Sequence, residues 1–181
     1  SLNTETWNGT SWSEQNNLLA VVSRNVMAGT TTSALSSGGE VPVVGATVDT
    51  SSWNGSSWTE VNNLNTARQL NSGVGASNTN AISVGNFKPS PASPPVAAIV
   101  ESWNGTSWTE VADLNTGRSY TTSSGNTNTD VITSGGQAGD TPGATYNNTE
   151  LWNGSTWTET SNLSTARGRS STLGGAAGSA I

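Results

Sequence analysis

The six residues Trp103-Asn104-Gly105-Thr106-Ser107-Trp108 decide how the chain is read. The same pattern, Trp-Asn-Gly followed by two Ser or Thr residues and a second Trp, occurs at Trp7–Trp12, Trp53–Trp58 and Trp152–Trp157. The first tryptophans are 46, 50 and 49 residues apart. A repeat at that spacing is the signature of a stacked or radial repeat architecture. The copies share more than the hexapeptide. A glutamate follows each second Trp at Glu14, Glu60, Glu110 and Glu159, and a leucine follows at Leu18, Leu64, Leu114 and Leu163. Arg68, Arg118 and Arg167 stand four residues beyond the last three leucines; the first copy has Val21 or Val22 where the arginine would fall, with Arg24 displaced. Gly38-Gly39 and Gly135-Gly136 close two copies, with Gly85-Asn86 in the equivalent place.

Each copy reads as strands. Asn-Gly is the strongest short hairpin signal. Thr, Val, Ile and Trp flank it, as strands prefer, and no segment carries an apolar period near 3.6. A two-residue Asn-Gly loop sets Glu5 opposite Trp12. A four-residue loop sets Trp7 opposite Trp12 and Glu5 opposite Glu14. Like charges directly opposite one another are unfavourable, so the two-residue loop is expected. In either register both tryptophans of a copy lie on one face of the ribbon and need a neighbour to cover them. Stacked repeats would supply that cover.

Composition removes whole classes of chemistry. The 181 residues contain no Cys and no His. Thiol nucleophiles, disulfides, His-based triads and His-ligated metals are excluded. The net charge is −6, and the six basic residues are scattered, which argues against nucleic acid. No stretch has the length of a membrane-spanning helix, so no membrane insertion is expected. Neither a catalytic residue, a metal site nor a cofactor suggests itself.

About 48 residues per unit, roughly four short strands each and an aromatic signature together suggest a propeller blade. The run from Glu101 through Trp103, Trp108, Leu114 and Arg118 to Gly135-Gly136 resembles the kelch repeat. Trp103 stands where that family usually has Tyr, and Trp108 matches its Trp. The resemblance implies an all-β propeller of four-stranded blades, with about four repeats in this chain. They form either a four-bladed ring or part of a larger one. The turn between the aromatics is shorter than the usual kelch turn. The repeats run approximately 1–18, 19–64, 65–114, 115–163 and 164–181. The chain starts in what would be a third strand and ends at Ile181 in what would be a second strand. The last segment would therefore pair with the first to complete a blade, unless other subunits complete it.

The expected loop face lies opposite the Asn-Gly turns and comprises residues 39–46, 86–97 and 136–146. These loops differ between copies and hold all six prolines. Loops that vary on a repeated scaffold are a usual place for function. Glu40, Phe87, Lys88 and Asp140 are the candidate ligand-binding residues there. Arg68, Arg118 and Arg167 either line a carboxylate-binding centre or hold blade-to-blade contacts. Their recurrence beside the structural Leu favours the contacts. Glu5, Glu101 and Glu150 recur in one phase, and Glu14, Glu60, Glu110 and Glu159 in another; all seven are expected at solvated strand edges. Six sequons occur, at Asn8, Asn54, Asn104, Asn147, Asn153 and Asn162. Turn chemistry alone accounts for the four that are Asn-Gly turns.

The expected function is a non-enzymatic binding module for a glycan or other cell-surface ligand, outside the cell or on a virion surface. The Trp-Asn-Gly-x-x-Trp units also resemble those of repeat proteins in bacteriophage particles and secreted bacterial proteins. A structural component of a virion, fibre or surface layer, with other protein subunits as partners, is the second expectation. A propeller-type enzyme is the third.

Overall fold

The computed structural model describes residues 2–87, 96–139, 144–169 and 177, and they form an all-β architecture. A two-stranded ribbon comes first, β1 (Thr4–Trp7) and β2 (Trp12–Gln15). Sheet I contains β3 (Val26–Thr30), β4 (Ser33–Ser37), β7 (Thr50–Trp53) and β8 (Trp58–Glu60). A small hairpin, β5 (Glu40–Val41) and β6 (Gly45–Ala46), sits in the connection between β4 and β7. Sheet II contains β9 (Ser72–Ser77), β10 (Asn80–Phe87), β11 (Val96–Trp103) and β12 (Trp108–Val111). Sheet III contains β13 (Thr122–Thr127), β14 (Asp130–Ser134), β15 (Thr149–Trp152) and β16 (Trp157–Thr160). Every pairing is antiparallel between strands consecutive in each sheet. The first strands lie side by side, β3 against β9 and β9 against β13.

The Asn-Gly turn takes the four-residue form, which corrects the register expected from charge. Trp7 faces Trp12 and Glu5 faces Glu14, and the same pairing recurs at Trp103/Trp108 with Glu101/Glu110. Two effects decide it. Asn104 Oδ1 accepts the backbone N–H groups of Thr106 and Ser107, at 2.9 and 3.0 Å. That side-chain cap closes the turn locally. Only the glycine then needs positive φ, +94° at Gly105. The four-residue loop also sets the two indoles against each other, with centroids 5.2–5.5 Å apart in the four copies. A tilted aromatic pair contributes about 0.5–1.5 kcal/mol beyond its burial. Opposed carboxylates that are both exposed, as at Glu5 and Glu14, cost only a few tenths.

The core lies between sheets. Leu64 packs with Trp103 and Trp108 of the next sheet, and Leu114 with Trp152 and Trp157. Leu18 packs against Trp53 and Trp58 in the same way. The tryptophan N–H groups are used too. Trp53 Nε1 donates to Thr31 O, Trp103 Nε1 to Asn78 O and Trp152 Nε1 to Asn128 O, at 2.8–2.9 Å. Each indole thus fills space and ties its strand to the turn between the first two strands of its own sheet.

The glycine at this point of each second strand, just past β4 and β14 and at the irregularity within β10, has a steric reason. Gly135 has φ +65°, and a Cβ there would stand 2.5 Å from Arg167 O. Gly85 repeats this against Arg118 O. The second residue supplies its N–H in all three copies, and at Gly39 and Gly136 it also adopts a positive φ, +104° and +109°. Asn86 N donates to Arg118 O at 3.3 Å, as Gly39 N does to Arg68 O and Gly136 N to Arg167 O.

Candidate functional site

The arginines of the repeat are the pins between sheets. Arg68 and Arg118 have no exposed surface, and each forms a buried ion pair with a carboxylate of the following sheet: Arg68 Nη2 with Glu101, Arg118 Nη2 with Glu150. Glu101 Oε2 also accepts from Asn65 N and Asn65 Nδ2, both at 2.8 Å, and Glu150 Oε2 accepts the same pair of bonds from Asn115. Arg118 Nη1 donates to Gly135 O and Asn148 O at 3.2 and 3.0 Å, and its Nε to Thr116 O at 3.2 Å. Burial pulls both guanidinium groups below their ordinary pKa, and the paired glutamates oppose that shift. A buried charge is tolerable only when paired and hydrogen-bonded to this degree.

Two sequence expectations change accordingly. Glu101 and Glu150 are fully buried rather than solvated strand edges, because each neutralises an arginine. Glu5, Glu14, Glu60, Glu110 and Glu159 are exposed. Arg68 and Arg118 are unavailable to a ligand, and the blade-to-blade role weighed for them is the one their geometry fits. Arg167 is exposed.

The first junction is built differently. Counting from the second Trp of each copy, Leu19, Val22 and Ser51 occupy the places of Asn65, Arg68 and Glu101. All three members of the polar network are replaced together. The result is an open cleft of about 210 Å³ between the segment that follows the ribbon and sheet I, lined by Leu19, Val22, Ser51, Val41, Asp49 and Glu60 among others. Leu19 is 57% exposed there. The cleft combines an aliphatic wall with two exposed carboxylates and the hydroxyl of Ser51. Val41 of β5 brings the variable 39–46 connection to its rim.

The remaining described candidates, Glu40 and Phe87, lie on separate elements. Glu40, next to Val41, forms a half-exposed ion pair with Arg24 at 3.1 Å. Val43 and Val44, at the tip of the β5–β6 hairpin, are strongly exposed. Phe87 ends β10, paired with Val96 and bridged to Gln69. Lys88 and Asp140 lie outside the described residues. Among the described residues, no group of three or more Asp or Glu side chains is arranged to hold a metal ion. Sequence reasoning reached the loop but missed the cleft. Its signal was available as the simultaneous departure of Leu19, Val22 and Ser51 from their repeat positions.

No protein-family model matches the chain, and no curated protein shows significant sequence similarity to it.

Proposed function

We propose that the chain is a non-enzymatic recognition module of kelch-like propeller design. It would hold a glycan or similar cell-surface ligand in the cleft between residues 18–22 and sheet I. Three sheets of one topology, with first strands side by side, support the propeller reading. A further regularity agrees with it. Leu70 N donates to Arg24 O, Tyr120 N to Leu70 O and Arg169 N to Tyr120 O, at 2.9–3.3 Å. All four residues have positive φ, between 50° and 59°. They form a backbone chain from unit to unit just before the first strands.

One observation carries the binding reading: the first junction alone among three lacks the buried ion pair, and the space stands open. A sugar presents hydroxyl donors around an apolar C–H face. Asp49 and Glu60 offer acceptors, and Leu19 and Val22 offer an aliphatic wall. The surroundings fit a polar ligand with an apolar side better than they fit a purely apolar one. A ligand of this class places the module at a cell or virion surface.

The test is a glycan-array screen at physiological salt with the chain and its L19N/V22R/S51E variant. The variant installs the network of the other junctions and fills the cleft. Expected is specific binding by the chain and its loss in the variant, with tryptophan fluorescence and circular dichroism unchanged. Binding that survives in the variant, or no glycan bound by either protein, would overturn the proposal.

A further inference from the structure

The outer face of sheet III has all the groups of an inter-sheet junction except the partner. Leu163 is the counterpart of Leu64 and Leu114; its N–H donates to Asn147 O at 2.9 Å as theirs do to Val48 O and Ala98 O. Those two leucines are 4% exposed beneath their tryptophan pairs, whereas Leu163 is only half-buried. Arg167 Nε donates to Thr165 O at 3.4 Å, matching Arg68 to Thr66 O and Arg118 to Thr116 O. Its guanidinium is thus held in the manner of the paired arginines, yet no carboxylate meets it among the described residues. Thr149 is the counterpart of Thr4 and Thr50, whose hydroxyls accept from Trp58 Nε1 and Trp108 Nε1 at 3.0 and 3.1 Å. Thr149 is 4% exposed, and its Oγ1 has no hydrogen-bond partner among the described residues.

The ribbon presents the complementary set. Glu5 stands two residues before Trp7, where Glu101 and Glu150 stand before Trp103 and Trp152. Glu5 is exposed and forms no ion pair among the described residues. Trp7 and Trp12 are 44% and 65% exposed, while the six other module tryptophans are buried. The ribbon is itself seated on sheet I, through Trp58 Nε1 to Thr4 and Asn16 Nδ2 to Ser56 O. Among the described residues no ion pair or hydrogen bond joins it to Arg167 or Thr149.

We infer that the outer face of sheet III is a docking socket for the β1–β2 ribbon of a second copy of this chain. Glu5 pairs with Arg167, Trp7 and Trp12 cover Leu163, and Trp12 Nε1 donates to Thr149 Oγ1. The contact is heterologous, since socket and ribbon are different surfaces, so it generates a closed ring of copies or a filament. It is independent of what the cleft binds, because no residue of the ribbon lines the cleft.

Charge exchange tests the pairing. Sedimentation of the 181-residue chain over a wide concentration range should show multiples of the chain mass. E5R and R167E alone should each weaken association about a hundredfold, in line with close charge pairs at interfaces. An equimolar mixture of the two variants should recover it, because Arg at 5 then meets Glu at 167, and so should the E5R/R167E double variant. Association indifferent to the swaps would overturn the inference. So would a wild-type monomer at every concentration whose stability falls in each single variant and returns in the double one; the chain's own ribbon would then occupy the socket. A monomer whose stability ignores the swaps would remove the socket altogether.

Discussion

Substituting one member of the Arg118–Glu150 pair should be among the most damaging single changes available in this protein. Arg118→Met removes the guanidinium, with its bonds to Gly135 O, Asn148 O and Thr116 O. It leaves Glu150 fully buried, with only the two donors of Asn115. An uncompensated buried charge of this kind costs about 3–5 kcal/mol. For a chain of this length that corresponds to a loss of about 6–20 °C in Tm. Glu150→Met should cost a similar amount for the mirror-image reason. The double variant removes both charges and replaces them with apolar volume. It should cost about as much as one single variant, a coupling of about 3 kcal/mol, because the residual damage is a few carbonyl and amide groups without partners. Denaturant unfolding followed by tryptophan fluorescence measures all three. The penalties should persist at 1 M salt, since buried pairs are screened far less than exposed ones. Arg24→Met breaks the half-exposed pair with Glu40 and should cost under about 1 kcal/mol. Single variants costing less than about 1 kcal/mol, or a double variant costing their full sum, would refute the account of how the sheets are pinned.

Other parts of the repeat give separable expectations. Gly135→Ala places a Cβ against Arg167 O at a positive φ and should cost about 2–3 kcal/mol. Gly9→Ala, with nothing within 4 Å of the new atom, should cost about 1 kcal/mol; calorimetry distinguishes the two. Asn104→Ala removes the cap on Thr106 and Ser107 and should cost about 1 kcal/mol by the same measurement, as losing a comparable local side-chain cap does. Trp103→Phe exchanges the buried indole for a smaller benzene ring and leaves Asn78 O without its donor. It should cost about 2–3 kcal/mol, visible as a lower midpoint in urea.

The repeat was legible because its signals are local. Trp-Asn-Gly-x-x-Trp declares a turn and two strands within six residues, and glycine pairs declare the ends of second strands. The register was not legible from charge alone. It turns on the Asn104 side chain satisfying two backbone N–H groups, which competes with and outweighs the Glu101/Glu110 opposition. Nor was the fate of the glutamates legible. Glu101 reads like Glu110, an acid on a short polar strand, yet one is buried and the other exposed. What separates them is Arg68, 33 residues away in sequence. No local pattern encodes that distance. The phase of the repeat does, once the arginine of one copy is matched to the glutamate of the next.

That matching explains why the departures of the first junction come as a set. A lone valine at position 22 opposite a glutamate at 51 would bury an unpaired carboxylate, and an arginine opposite Ser51 would bury an unpaired guanidinium. Either intermediate carries the penalty worked out for Arg118→Met. The junction is stable with the complete network, as between the sheets, or without it, as between the ribbon and sheet I. Leu19, Val22 and Ser51 are the second solution, and its consequence is open space rather than a filled contact. At the outer face of sheet III the network is divided differently: Arg167 is present and its carboxylate stands on the ribbon at Glu5. An exposed arginine and an exposed glutamate carry no such penalty, since water solvates both. The division therefore costs the isolated chain little, and it leaves each end with half of a contact that the interior shows complete.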